Sequence, residues 1–360
     1  MLDAYRALAI LWVGLFHYTY FWSSAGKGDN LLPYDSALSW IPLASVGYLG
    51  VTLFFLISGY VISLTLQTTG TFAEFAVKRF ARLWPTLLVC GLITYVAVTL
   101  FGPSELKVSL PEALISMTLI PPQHVARGIG AEGWSWLDGA YWSLWVELRF
   151  YVVIGMAFYI ARKYWLQAWL VFEGLGWLVA IALLNTHSTG LELLDGALFS
   201  HHTPYFTLGI LACRYKKGQS TSLDWFALAY AMIHALFIIG SGSSENVVSL
   251  SLIIGYTIVF VMFAIFVWRP NVLSWLEHKI VLRIGRASYS FYLLHQVLGI
   301  SLMTLIAAQF GARASLIAVP FMVGGLLLLS SQIFERIEQP ANRWIVSKYK
   351  NRKQGVAKEV

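Results

Sequence analysis

The sequence predicts an all-α fold, a polytopic membrane bundle of about ten transmembrane helices. Hydrophobic residues make up 58% of the chain and charged residues only 12%, with a mean hydropathy of +0.67. Soluble domains average about 25% charged residues. No polar stretch is long enough for a soluble domain, so we expect one membrane domain, residues 1–345, followed by a basic cytoplasmic tail, residues 346–360.

Apolar stretches close to the ~20-residue length that spans a bilayer recur along the chain. The sixth is the weakest because Pro204 interrupts it. The predicted spans are 4–22, 47–67, 83–101, 141–161, 165–184, 197–213, 223–240, 247–268, 287–309 and 315–335.

The positions of lysine and arginine support this map. With the N-terminus in the cytoplasm, 20 of the 25 basic residues fall in cytoplasmic segments and four in outer loops, while Arg149 falls within a span. This bias matches the positive-inside rule. It predicts a multi-pass protein of the cytoplasmic membrane with both termini cytoplasmic, and it assigns the net charge of +7 to lipid contact rather than to nucleic acid. Two outer loops are long, 23–46 and 102–140.

Ionisable residues stand out because they are costly inside a span. Arg6 and His17 are eleven residues apart in the first span, so a helix brings both to nearly the same face, ~16 Å apart along its axis. Glu147 lies at a depth in the fourth span similar to that of His17 in the first, where a carboxylate could orient the imidazole. A histidine that only joins helices by hydrogen bonds is the alternative for His17.

A second candidate site lies where the third span leaves the cytoplasm. Arg79 and Arg82 are three apart on one helix face and could grip the phosphates of an anionic donor. The alternative is that they only set topology. Ser58 and Gly59 are small residues in the second span, which suit either close helix packing or the passage of a pantetheine chain.

Further polar and aromatic residues could line a cavity for an acceptor or simply pack. Trp142, Ser143 and Tyr151 flank Glu147, while Tyr289, Tyr292 and His295 recur at helical spacing on the ninth span. Glu338, before Pro340, marks the end of the tenth span. Cys90 and Cys213 predict free thiols, and neither has metal-site spacing, so we expect no metal. We also expect no bound cofactor.

Taken together, these segments resemble the acyltransferase 3 family of integral membrane acyltransferases. The similar segments, in chain order, are Leu2-Asp3-Ala4-Tyr5-Arg6 with His17, Phe54-Phe55-Leu56-Ile57-Ser58-Gly59-Tyr60, Arg79-Phe80-Ala81-Arg82 with Pro85, Trp142-Ser143-Leu144 with Glu147 and Phe150-Tyr151, Ser288-Tyr289-Ser290-Phe291-Tyr292-Leu293-Leu294-His295, and Glu338-Gln339-Pro340. Arg149 departs from the pattern, which has an uncharged residue there.

The resemblance implies transfer of an acyl group, usually acetyl from acetyl-CoA, to a sugar hydroxyl beyond the membrane. It implies His17 as the catalytic residue and Arg79 and Arg82 as donor contacts; we add Arg6 to the donor site and Glu147 as the group that orients His17. The expected partners are acyl-CoA, a cell-surface or lipid-linked glycan and membrane lipids. A covalent acyl-histidine route, a multi-span transporter and a non-catalytic partner in glycan assembly stay open as alternatives.

Overall fold

A computed structural model describes residues 1–26, 28–186, 188–241 and 249–356, with side chains up to residue 353. Two basic residues of the topology argument, Lys27 and Lys358, lie outside the described residues. The predicted start of the eighth span at 247 and the end of the basic tail also lie outside them.

The described residues form helices and no strand, which confirms the all-α prediction. Two helices continue into π-helical turns, His17–Phe21 and Phe334–Glu338. The α-helices are α1 (Leu2–Phe16), α2 (Leu49–Gln67), α3 (Phe72–Phe101), α4 (Leu110–Ser116), α5 (Pro122–Gly128), α6 (Trp142–Ala161), α7 (Trp165–Leu183), α8 (Thr189–Leu198), α9 (Thr203–Lys216), α10 (Ser222–Ser241), α11 (Leu250–Trp268), α12 (Lys279–Arg286), α13 (Ser288–Leu294), α14 (Val297–Phe310), α15 (Ala312–Ile333) and α16 (Gln339–Val356).

A helix occupies each of the ten predicted spans, but the number of crossings is not confirmed. In the described chain, six helical stretches are long and apolar enough to cross a membrane, or seven if the bent pair α13 and α14 counts as one span. The single stretch Gly139–Leu183 covers the fourth and fifth predicted spans. Helix α9 has 14 residues, which is shorter than the ~20 that cross a bilayer at 1.5 Å per residue. The fold is therefore a helical membrane bundle, and ten crossings stay a prediction.

The chain divides into two compact units, and α2, α3 and α6 contribute residues to both. The first unit comprises Met1–Val51, Val77–Trp145 and Pro270–Val360. In it, α1 packs along α12 and α13, and α15 packs along α13 and α14. Gly285 of α12 lies so close to α1 that a Cβ atom there would collide with the carbonyl of Asp3. This close approach holds α1 against the segment that carries His295.

The second unit comprises Thr52–Ala76 and Val146–Arg269. Its helices α2 and α9 pack backbone to backbone, because a Cβ atom at Gly59 would lie 2.2 Å from the carbonyl oxygen of Phe206. A Cβ atom at Gly209 would lie 2.1 Å from the carbonyl oxygen of Leu56. Such small residues let helices associate in a membrane, where the hydrophobic effect gives little drive.

Candidate active site

The local geometry at His17 differs from that of a regular helix. Helix α1 ends at Phe16, and the residues His17–Phe21 wind as a π-turn, which places one extra residue in the turn. Single π-turns in helices are frequent at functional sites. His17 is 9% exposed, so its ring is largely removed from solvent.

The partner segment is a broken helix. Helices α13 and α14 meet at an angle of 53°, and His295 and Gln296 form the break. The buried carboxylate of Asp138 holds the start of α14, since its Oδ2 accepts from the backbone N–H of Val297 at 3.0 Å. The other oxygen, Oδ1, accepts from the N–H of Ala140 at 2.8 Å, just before α6. Asp138 thus satisfies orphan donors at the start of two helical segments and fixes the position of the break.

The two histidines meet inside the first unit. The Nε2 atom of His295 lies 3.2 Å from the Nδ1 atom of His17, with ring centroids 4.9 Å apart. The structure therefore places His295, predicted only to line a cavity, directly beside the predicted catalytic residue.

Backbone carbonyls indicate which nitrogen of each ring carries the proton. The Nδ1 atom of His295 lies 2.8 Å from the carbonyl oxygen of Tyr292, which can only accept, so Nδ1 of His295 is the donor. In the neutral ring, Nε2 of His295 is then an acceptor. The Nδ1 atom of His17 faces that acceptor and the carbonyl oxygen of Val13 at 3.0 Å, so it carries the proton. The Nε2 atom of His17 is left with its lone pair, and it has no hydrogen-bond partner among the described residues.

Hydroxyl groups brace this pair. Tyr18 donates its hydroxyl hydrogen to the carbonyl oxygen of His295. The hydroxyl of Tyr292 donates to the carbonyl oxygen of Ala140 at 2.8 Å and lies 2.7 Å from Oγ of Ser143. Trp142, which the sequence placed with Ser143, keeps 41% of its side chain exposed. Tyr292 and Ser143 thus join α6 to α13 beside the histidine pair, and their contact with an acceptor stays a prediction.

The predicted donor arginines have partners within the first unit. Arg82 forms an ion pair with Glu338, whose side chain is 2% exposed. The Arg82 guanidinium also lies over the ring of Tyr289, 5.5 Å from its centroid. Tyr289 in turn donates to the carbonyl oxygen of Leu83 at 2.9 Å. Arg82 is 30% exposed, so part of its side chain stays accessible to a ligand.

The other two predicted donor contacts are placed differently. Arg6 donates to the carboxylate of Asp3 at 3.0 Å, one turn earlier on α1. Arg79 is half-buried on α3, one turn before Arg82. These positions are compatible with donor binding, and that role stays a prediction.

The second unit contains a separate polar cluster. Ser58 donates to Oε1 of Glu147 at 2.6 Å, and the hydroxyl of Tyr151 donates to the same oxygen. Gly59, the neighbour of Ser58, lies against α9. The backbone of α9 occupies the space that a side chain at Gly59 would need. The structure thus brings two predicted site residues, Ser58 and Tyr151, together at the carboxylate of a third, Glu147. The role of Glu147 in orienting His17 stays a prediction.

Arg149 uses another face of α6, as expected for a residue two positions from Glu147. Its guanidinium donates to the carbonyl oxygen of Gly196 and lies 5.1 Å from the ring centroid of Phe199. The backbone of Phe199 has φ = +41°, which is unusual for a bulky residue. Arg149 therefore joins α6 to the segment between α8 and α9.

Two residues of the site were not identified as such from the sequence. Asp138 could have been predicted to cap the helix that follows it, because it is an acidic residue directly before a helix start. Its hydrogen bond with Val297 could not have been predicted from the neighbouring sequence. Glu338 was interpreted as a helix terminus, whereas it pairs with Arg82 and accepts from Oγ of Ser290 at 3.1 Å.

The model of an acyltransferase domain family, acyltransferase 3, matches residues 2–334. The chain belongs to the acyltransferase 3 family. The predicted family is thereby confirmed over nearly the whole chain, and the matched residues include five of the six segments; Glu338-Gln339-Pro340 lies beyond the match.

Three curated relatives extend this result. An "O-acetyl transferase" of Shigella phage Sf6 is 28% identical over 31% of this chain and 35% of its own length. The "Acyltransferase MdmB" of Streptomyces mycarofaciens is 26% identical over 34% of this chain and 31% of its length. The "Peptidoglycan O-acetyltransferase OatA" of Listeria monocytogenes is 24% identical over 60% of this chain and 36% of its length. The chain thus spans about a third of the length of these relatives. No solved structure matches the chain significantly.

Proposed function

We propose that this protein is a membrane O-acyltransferase that moves an acyl group, most simply acetyl, from cytoplasmic acyl-CoA to a hydroxyl of an extracytoplasmic or lipid-linked polysaccharide. Membership of the acyltransferase 3 family supports the reaction class. Two of the three relatives carry O-acetyl transfer in their names, which supports the acetyl group.

The observation that carries the proposal is the proton arrangement of the histidine pair. One ring nitrogen of His17 is committed as a donor, so the opposite nitrogen, Nε2, presents a lone pair. A neutral imidazole with one free lone pair is a general base. When His17 takes up a second proton, Nε2 of His295 and the carbonyl of Val13 still accept from its Nδ1–H and stabilise the imidazolium. His295 is thus a positioning residue and His17 the catalytic one.

The reaction then follows from the chemistry of a thioester. Nε2 of His17 takes the proton of the acceptor hydroxyl as that oxygen attacks the acyl carbonyl carbon. A carbon–oxygen bond forms, the carbon–sulfur bond breaks, and the electron pair leaves with the CoA sulfur. The imidazolium of His17 returns the proton to the thiolate, which restores the neutral ring. Attack by Nε2 itself on the thioester would give the alternative acyl-histidine route.

The donor would reach this site from the side that carries the basic residues. Arg79 and Arg82 are proposed to hold the anionic phosphates of CoA, and Arg6 is proposed as a further contact with the donor. Guanidinium groups suit this task because they bind phosphate oxygens in pairs. Both termini are proposed to be cytoplasmic, in accordance with the distribution of basic residues.

The test uses the full chain in lipid nanodiscs with radiolabelled acetyl-CoA and glycan isolated from the host envelope. His17→Ala should reduce transfer by the ~10²–10⁴-fold typical of a general base. His295→Ala should cause a smaller loss and alter the pH–rate profile, because the imidazolium loses an acceptor. Thermal melting checks that both variants fold. Turnover by His17→Ala close to that of the natural protein would contradict the assignment.

Glu147→Gln is measured in the same assay. If Glu147 orients His17, this variant should also alter the pH–rate profile. If Glu147 only joins Ser58 and Tyr151, the profile should keep its shape while the melting temperature falls.

A further inference from the structure

The outer loop between α3 and α6 contains a polar pocket that the reaction scheme leaves without a role. It has a volume of about 330 Å³ and is formed by α5 and the residues that follow it. Ligand pockets have volumes of about 300–1,000 Å³, so this one has room for a small ligand. Its side chains come from Gln123, Arg127, Glu132 and Trp134, with small residues between them.

The backbone around the pocket is shaped by two glycines. Gly130 has φ = +71° and Gly133 has φ = +76°, a conformation that disfavours other residues. A Cβ atom at either glycine would meet nothing within 4 Å, so these glycines serve the turn rather than close packing. The N–H of Ala131 donates to the carbonyl oxygen of Ala126 at 2.9 Å and closes the end of α5.

The segment after the pocket is anchored to α4. The N–H of Ser135 donates to Glu112 at 3.0 Å, and the N–H of Leu137 donates to Oγ of Ser116 at 2.9 Å. Glu112 is itself fixed by a reciprocal cap with Ser109. One wall of the pocket is therefore held in place by hydrogen bonds.

The polar side chains of the pocket are available to a ligand. Gln123, Arg127 and Glu132 are exposed, and within the described part of the chain none of their side chains has a hydrogen bond or an ion pair. Trp134 is partly exposed beside them. Together they offer an aromatic face, the N–H donors of a guanidinium, a carboxylate acceptor and an amide that does both.

This combination matches the chemistry of a sugar ring. The C–H groups on one face of a pyranose are weakly positive, and the face of an indole ring is negative. The hydroxyl groups at the ring edge both donate and accept, which suits the mixed polar set. Arg127 and Glu132 cancel in charge, so the pocket favours a neutral sugar over an acidic one.

The pocket is also linked to the histidine pair. Trp134 and Asp138 are four residues apart, so their Cα atoms are separated by at most ~14 Å. Asp138 holds Val297, two residues after His295. The pocket and the histidine pair are therefore connected through Asp138 within the first unit.

We propose that Gln123, Arg127, Glu132 and Trp134 form a subsite for a neutral sugar residue of the acceptor glycan. That the bound glycan is the acceptor rests on the proposed function, but glycan binding can be measured without acyl transfer. The subsite would hold the glycan on the side predicted to face away from the cytoplasm, with a neighbouring hydroxyl directed to His17.

The test is binding of the fluorescently labelled full chain, in nanodiscs, to a printed array of neutral and uronic-acid-containing oligosaccharides. The natural protein and His17→Ala should bind the same neutral glycans. Trp134→Ala and Arg127→Ala should each weaken this binding about tenfold. Trp134→Tyr should retain most of the glycan binding, since a phenol ring also stacks on a sugar. This variant therefore separates the loss of stacking from misfolding.

Matched controls come from other outer residues. Trp40 is 75% exposed and Arg313 is exposed, so Trp40→Ala and Arg313→Ala should leave binding unchanged. Equal binding by Trp134→Ala, preference for uronic acids, or no glycan binding by the natural protein would overturn the subsite. If binding depends on Trp134 but no acyl transfer is detected, the proposed function fails and the subsite stands. If transfer occurs and its acceptor KM is indifferent to Trp134, the subsite alone fails.

Discussion

The guanidinium of Arg82 contacts the carboxylate of Glu338 and the ring of Tyr289. Glu338 is almost fully buried, so its charge depends on Arg82 for compensation. Loss of Arg82 would therefore reduce stability as well as any contact with the donor. A variant of Arg82 alone cannot separate these two effects.

A double variant separates them. Arg82→Ala should lower the free energy of unfolding by about 3 kcal/mol, the lower end for breaking a buried pair, because Arg82 is partly exposed. Arg82→Met combined with Glu338→Leu should recover most of that stability, since neither charge remains. If Arg82 binds CoA, the double variant should still show a raised donor KM, measured with acetyl-CoA in nanodiscs. Full recovery of the donor KM would limit Arg82 to a structural role.

At the scale of helices, the contact between α2 and α9 depends on the absence of side chains. Gly59 and Gly209 face the opposing backbone at distances where no Cβ atom fits. The same glycine was predicted to leave room for a pantetheine chain. The structure gives Gly59 a packing role, and its role in donor binding stays a prediction.

Gly59→Ala should lower the free energy of unfolding by about 1–3 kcal/mol, because α2 and α9 must move apart. Gly324→Ala is the control, since Gly324 lies in α15 and a Cβ atom there meets nothing within 4 Å. The control should be neutral or stabilising, because alanine is the better helix former. Thermal unfolding in detergent measures both. A stable Gly59→Ala protein would show that these helices have room to separate.

Asp138 links two helix starts, and its ionisation should make this link depend on pH. Burial raises the pKa of the Asp138 carboxyl from 3.8 to about 7, although the N–H donors of Val297 and Ala140 lower it. Between these values the folded state holds a proton that the unfolded state has released. The contribution of this ionisation to stability is thus fully present below pH 3.8 and is lost as pH rises through about 7.

The melting temperature of the natural protein should therefore fall between pH 5 and pH 8 by more than that of Asp138→Ala. The variant should also be less stable by about 1–3 kcal/mol at pH 5, because two backbone donors lose their acceptor. Asp35→Ala is the control, because Asp35 caps no helix junction near His295. Its melting temperature should fall between pH 5 and pH 8 as much as that of the natural protein. Identical pH slopes for the natural protein and Asp138→Ala would contradict this assignment.

At the scale of the whole molecule, the topology map predicts that residues 102–140 and the C-terminal tail lie on opposite sides of the membrane. Ser104 and Ser347 are both exposed in the structure, so a cysteine at either position is accessible to a reagent on its own side. The natural cysteines, Cys90 and Cys213, are buried and should give little background. An impermeant maleimide on intact cells should label Ser104→Cys and not Ser347→Cys. Labelling of both, or of Ser347→Cys alone, would contradict the map.

The sequence was sufficient to predict a helical membrane bundle and to select His17 as a candidate. Apolar runs of about 20 residues dictate helices in a membrane, where every backbone polar group needs an internal partner. An ionisable residue in such a run indicates function. The partner of His17 could not be predicted, because His295 is 278 residues away along the chain and only the packing of α1 on α13 brings the rings together. The pairing of Arg82 with Glu338 is non-local in the same way.

The two π-turns also determine how this chain should be aligned with its relatives. Each π-turn is equivalent to a one-residue insertion in an α-helix, and one residue advances a helix by about 100°. The spacing between Arg6 and His17 runs along α1 to the first residue of the first π-turn, so it does not cross that turn and keeps its regular period. Any spacing counted across 17–21 or 334–338 is out of phase by one residue. A relative without the insertion would need a single-residue gap there for its residues to face the same neighbours.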